Sequence, residues 1–85
     1  MTELSKLPNI GKKLEEQLIQ IGINNADELK ETGAKDAWLK IQAIDESACI
    51  HRLLALEGAI EGVKKTLLQD KVKTDLKEFY QCHKV

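Results

Sequence analysis

Apolar side chains recur at helical spacing along almost the whole chain, and no run of β-branched residues alternates with polar ones as a half-buried strand requires. Leu4 and Leu7 mark a short first turn that ends before Pro8, because the residue ahead of a proline avoids the α region. Leu14, Leu18 and Ile21 then repeat at i, i+4 and i+7, with Glu15, Glu16 and Gln20 mostly off that stripe. This predicts an amphipathic helix of about three turns, closed by Gly22. Asn25 heads the next short helix. Its side chain can accept from a first-turn amide while Glu28 reaches back, an Asn-headed relative of the capping box. Ala26 and Leu29 face inward, and Gly33 ends the helix. Ala34, Ala37, Trp38 and Ile41 define a third stripe that Ile44 would extend, with Asp36 and Lys40 paired outside it.

Asp45 or Ser47 is expected to cap the longest apolar segment, from about Ser47 to Ile60 or Val63. Cys49, Leu53, Leu56, Ile60 and Val63 form one broad face of that helix, and Ile50 and Leu54 lie on another. The small residues Ala55, Gly58, Ala59 and Gly62 form a third strip, across which another backbone can approach closely, from the same chain or from a second copy. A helix apolar around so much of its circumference belongs at the centre of its domain. Lys64 to Asp70 reads as a broken turn. A last helix carries Val72, Leu76, Phe79 and His83 on one face. About five helices result, and helix-on-helix packing is the way to bury their stripes. The predicted class is therefore all-α, a compact bundle in one domain over residues 1–85.

Composition narrows this little. The chain of 85 residues is 42% hydrophobic and contains one Trp, one Phe and one Tyr, so its core must be mostly aliphatic. Net charge is -1, which rules out a strongly basic arm or acidic tail. Charge is uneven along the chain. Residues 1–24 balance, 25–61 carry four basic against eight acidic residues, and 62–85 carry six against three. Met1 to Lys6 shows neither the basic nor the apolar region of a signal peptide. No apolar run reaches the roughly 18 residues of a membrane span. The two cysteines, Cys49 and Cys82, are too few for a secreted disulfide scaffold. A reduced, cytoplasmic protein is the expectation.

Catalytic chemistry is hard to place. The sequence contains no phosphate-binding glycine loop, dinucleotide fingerprint or nucleophile elbow. Cys49 and His51 stand two apart on one helix and point nearly opposite ways. Cys82 and His83 are adjacent, so a zinc site from these four would need a fortunate fold. Glu57 has no partner acid or nucleophile nearby in sequence. No cofactor, metal or catalytic residue is assigned.

One motif does carry chemistry. Leu7-Pro8-Asn9-Ile10-Gly11-Lys12-Lys13, followed by a helix, resembles the hairpin of a helix-hairpin-helix unit, here spanning about residues 3–22. A sharp turn aims amides outward at a helix start, where partial positive charge and unpaired N–H groups favour an anion. A DNA phosphate would meet Asn9, Ile10, Gly11, Lys12 and Lys13 there, with Ile10 turned inward to lock the hairpin. The two ammonium groups would add attraction without reading sequence. The usual first hairpin glycine is Asn9 here, which tolerates left-handed φ but brings a side chain that would crowd a phosphate. If the hairpin needs positive φ at Gly11, a valine there would disturb the fold.

Leu7-Pro8-Asn9-Ile10-Gly11, Leu18-Ile19-x-x-Gly22-Ile23, Asp27-Glu28-Leu29-x-x-x-Gly33-Ala34 and Leu54-Ala55-Leu56-Glu57-Gly58-Ala59-Ile60-x-Gly62 occur in that order. Together, over about residues 4–80, they resemble the C-terminal domain of the TfoX/Sxy family. The resemblance implies an all-α, helix-hairpin-helix-containing domain from regulators of DNA-transformation competence, with no catalytic residues to carry over. Two functions then compete. One is a small regulatory domain that touches the DNA backbone through the hairpin, weakly and without sequence preference. The other is a protein-interaction module, homodimerising or docking through Ala55, Gly58, Ala59 and Gly62, with no DNA binding. An enzyme is nearly excluded.

Overall fold

The computed structural model describes residues 3–83. Five α-helices follow an opening 3-10 turn at Glu3–Lys6: α1 (Lys12–Gln20), α2 (Ala26–Thr32), α3 (Ala34–Ile44), α4 (Ile50–Glu61) and α5 (Asp70–His83). A second 3-10 turn, Lys65–Leu67, links α4 to α5. No strand occurs among the described residues, so the all-α expectation holds.

Local signals account for most boundaries. Asn25 caps α2 by accepting from the Glu28 amide at 2.9 Å, while its own side-chain N–H donates to the Glu28 carboxylate. The Asn24 amide donates to the same carboxylate, so Glu28 holds the turn before the helix from two sides. Gly33 ends α2 and heads α3 with a φ of 84°, a region where a side chain would be strained.

The longest apolar segment starts later than expected. Neither Asp45 nor Ser47 caps it. The Asp45 carboxylate folds back onto the amide and hydroxyl of Ser47, forming a local turn, and α4 begins at Ile50 behind Cys49. The same carboxylate accepts from Gln17 of α1 and from Arg52 of α4, each at 2.8 Å. Asp45 is thus a three-way tie between α1, the α3–α4 turn and α4.

Helix α4 is central and packs on α2, α3, α5 and the second 3-10 turn. Leu4, Leu18, Leu29, Trp38, Ile41, Leu53, Leu56 and Leu76 are fully buried in one core. Of the residues on the predicted apolar stripes, Ile21, Ala26, Cys49, Ile50, Leu54, Ile60, Val63, Val72 and Phe79 stay half-buried, and Ile44 and His83 are exposed. Trp38 lies at the α3–α5 contact. Its indole N–H donates to the Cys49 carbonyl at 3.2 Å, and its ring meets Phe79 and Tyr80 edge-on at 6.1 and 5.6 Å. Lys35 and Asp75, paired at 2.8 Å, and a Gln42 bond to the His83 carbonyl fasten α5 at its flanks. Lys35, rather than the Asp36–Lys40 pair, carries the ion pair of α3.

Leu56 is sealed at the centre of this arrangement. Its replacement by alanine should cost about 2–5 kcal/mol, measured as a drop in denaturant midpoint with unchanged slope.

Candidate functional site

The hairpin between the first turn and α1 is held by two backbone bonds, from the Leu7 amide to the Leu4 carbonyl and from the Ile10 amide to the Leu7 carbonyl. Ile10 is buried, as expected for the residue that locks the turn. The left-handed residue is Asn9, with a φ of 69°. Gly11 is not: it sits at φ -90° and ψ 179°, and a Cβ there meets nothing within 4 Å. The expectation that valine at Gly11 would disturb the fold therefore fails, because the turn takes its sharp corner two residues earlier.

Gly11 precedes α1 without any side-chain cap. The first amides of α1 have no intrahelical acceptor by geometry, and Gly11, Lys12 and Lys13 are all exposed around them. The Ile10 amide is engaged within the turn. The amides open to an anion are accordingly those from Gly11 onward.

Asn9 itself faces elsewhere. Its side-chain N–H donates to the Val63 carbonyl at 3.0 Å, and its side-chain oxygen accepts from the Lys65 amide at 3.0 Å. Both halves of the amide are used on one strand of backbone, so the carboxamide clasps the hairpin to the segment after α4 instead of crowding a bound phosphate. Gly58 makes the clasp possible. A Cβ on Gly58 would collide with the Asn9 side-chain nitrogen and lie 2.7 Å from the Val63 carbonyl oxygen. The small strip of α4 therefore admits another backbone, and that backbone is the chain's own. Ala55, Gly58 and Ala59 are buried inside the bundle, while Gly62 is the exposed, left-handed C-cap of α4 at φ 77°.

The clasp has an electrostatic result. Pro8 and Asn9 share a concavity of about 640 Å³ with Gly62 to Leu67, which sets Lys64 and Lys65 beside a hairpin already followed by Lys12 and Lys13. Sequence reading found the first pair of lysines and missed the second. Nothing local in the sequence reports a contact 54–56 residues long.

The remaining candidate groups do not converge. Cys49 is half-buried ahead of α4, whereas His51 and Cys82 are exposed. His83 stacks on Phe79 at the far end of α5. Among the described residues no three His, Cys, Asp or Glu side chains are grouped to hold a metal ion. No helix among them is long and apolar enough to cross a membrane. Gln17 is a buried polar residue that the helical stripe did not reveal; its N–H reaches Asp45, but its carbonyl oxygen has no partner.

Two carboxylates are shifted in opposite directions. Hydrogen bonds from Ser47, Arg52 and Gln17 hold Asp45 well below the usual range. Burial, a hydrogen bond with Glu61 and the charges of Glu61 and Asp75 push Glu57 up to about 7, against the pull of Lys35.

Two predictions follow from this geometry. Gly58→Ala should destabilise the domain by about 1–3 kcal/mol, because the new methyl group meets the Val63 carbonyl of the backbone as well as the Asn9 side chain. Asn9→Gly keeps the left-handed corner but removes both clasp bonds, so its loss of stability should be smaller; thermal melts of the two variants check the order. Stability should also be greatest near the acid side. Asp45, with its lowered pKa, contributes stability that is complete above its ordinary value of 3.8 and is lost as pH falls below it. Glu57 binds its proton more tightly folded than unfolded, so stability falls as pH rises from its ordinary 4.5 to about 7. Glu57→Gln should flatten the second slope, read from melting temperature against pH.

Comparison with known proteins agrees with this architecture. The TfoX C-terminal domain profile matches residues 1–80. Protein Sxy of Escherichia coli (strain K12) is 33% identical over 76 residues, covering 89% of this chain but only 36% of that protein, so the chain spans about a third of its relative's length. Two crystal structures from Listeria monocytogenes, of an uncharacterized protein in a triclinic form and of a protein of unknown function in a tetragonal form, are each 48% identical. They superpose with TM-scores of 0.92 and 0.90 over 93% of this chain and 90% and 98% of theirs. With its profile matched over residues 1–80 and a relative 33% identical over 76 residues, the chain belongs to the TfoX C-terminal domain family.

Proposed function

We propose that this chain is a non-enzymatic, cytoplasmic regulatory domain that holds the DNA backbone through its hairpin. The observation that carries the reading is the Asn9 clasp, which fastens the hairpin ahead of the uncapped α1 to the backbone that carries Lys64 and Lys65. Membership in a family of competence regulators supports a regulatory role. The mechanism is electrostatic. One phosphate sits against the amides from Gly11 onward, where the helix dipole is positive. The surrounding ammonium groups release condensed counterions from the duplex. None of these groups reads a base edge, so binding is indifferent to sequence. The net charge of -1 keeps the affinity low, and useful occupancy comes from a partner protein or from avidity.

The protein-interaction reading loses the strip that first suggested it, since Ala55, Gly58 and Ala59 are enclosed by the chain itself. Gly62 is the strip residue that stays exposed, so a partner or second copy using this strip would meet it there.

Duplex DNA added at low salt should shift the amides of Gly11, Lys12 and Lys13 together with those around Lys64. The dissociation constant should lie in the range of roughly 10⁻⁴–10⁻⁶ M and weaken as salt rises. Lys12→Glu with Lys13→Glu should abolish the shifts while circular dichroism stays unchanged, because both side chains are exposed. Shifts confined to other surfaces, or none at low salt, would leave the hairpin a purely structural turn.

A further inference from the structure

A groove of about 370 Å³ opens between the start of α4 and the middle of α5, meeting the hairpin's concavity only at Lys65 and Thr66. Its apolar floor is Ile50 and Leu54, both half-buried on α4. Lys65, Lys73 and Lys77 rim it, with His51 at one end. No Asp or Glu lines it, although the chain has 14 acidic residues against 13 basic ones. The ion pairs among the described residues are Lys35–Asp75 and Arg52–Asp45, so none of the three rim lysines is neutralised by a carboxylate. Lys73 is instead pinned over the groove by donating to the Thr66 carbonyl at 3.0 Å. Ile50 and His51 are also the first residues of α4, which has no side-chain cap, so the positive end of the helix dipole adds to the same field.

An apolar floor inside an unneutralised basic rim selects its occupant. A phosphate backbone would satisfy the lysines but leave Ile50 and Leu54 against solvent. A purely apolar segment would leave three ammonium groups desolvated. We infer that this groove is a docking site for a short acidic amphipathic segment of a partner protein, which seats one or two large apolar side chains on Ile50 and Leu54 and sets Asp or Glu against Lys65, Lys73 and Lys77. Such a site complements the hairpin. Tethering the domain to a second DNA-bound protein turns a weak backbone contact into an intramolecular one. The inference does not require that reading: the groove shares only Lys65 and Thr66 with the hairpin's concavity, and Ile50, Leu54, Lys73 and Lys77 belong to the groove alone.

The test uses three synthetic peptides of equal length on the full chain, followed by amide NMR. The first alternates Leu or Phe with Asp or Glu, the second replaces its apolar residues with Ser, and the third replaces its acids with Asn and Gln. The first alone should bind, moving the amides of Ile50, His51, Leu54, Lys73 and Lys77. Lys73→Glu combined with Lys77→Glu should weaken that binding by roughly tenfold or more, and Lys12→Glu with Lys13→Glu should leave it unchanged. If loss of the Thr66 bond disturbs the fold of the double variant, Lys77→Glu alone, at an exposed position, carries the same test with a smaller drop. The inference is overturned if the first peptide fails to bind at millimolar concentration or is matched by the serine peptide. It is equally overturned if duplex DNA moves the groove amides instead, or if the free chain self-associates through the groove in sedimentation and Lys77→Glu abolishes the association.

Discussion

The close approach of two stretches of backbone at Gly58 is the constraint on which the hairpin end of this domain depends. A helix glycine ordinarily costs stability, since it loses more conformational freedom on folding than any other residue. Here the missing side chain is the space in which the Asn9 carboxamide sits, joined to Val63 on one side and Lys65 on the other. The hairpin, the end of α4 and the second 3-10 turn are thereby one rigid corner. The left-handed conformation of Asn9 belongs to the same solution: asparagine is among the few residues with a side chain that accept it, and only a residue with a side chain can reach across.

The opposite end of the bundle is organised by Trp38. Burying an indole requires a partner for its N–H, and the Cys49 carbonyl, which also accepts from the Arg52 and Leu53 amides at the start of α4, provides it. Phe79 and Tyr80 then bring α5 against the same ring. A chain with three aromatic residues thus uses all of them at one contact and leaves the rest of its core to Leu, Ile and Ala. Asp45 completes the scaffold by tying α1 and α4 to the turn between α3 and α4.

What could be read from the sequence was what local physics determines. The helical stripes, the Asn25 cap and the glycine breaks at Gly22 and Gly33 follow from periodicity and capping chemistry, and the structure shows them where expected. Asp45 was misassigned because an aspartate near an apolar run is as good a cap as it is a turn former, and only the positions of Gln17 and Arg52 decide between them. The strip of Ala55, Gly58, Ala59 and Gly62 announced a close approach without saying whose backbone approaches. At the hairpin, Ile10, Gly11, Lys12 and Lys13 were legible from the motif. The inward turn of Asn9 and the arrival of Lys64 and Lys65 were not, since they are set by tertiary contacts with no sequence signature. The groove over Ile50 and Leu54 was visible only as a second apolar face.

The clasp also has a kinetic meaning. It joins residues 54 and 56 apart in a chain whose other helix contacts are largely between neighbours, so it is among the costliest loops to close. Within this domain the hairpin is synthesised before its lysine-rich counterpart, which follows α4. A chain that stops before Lys64 carries the motif without the second pair of lysines.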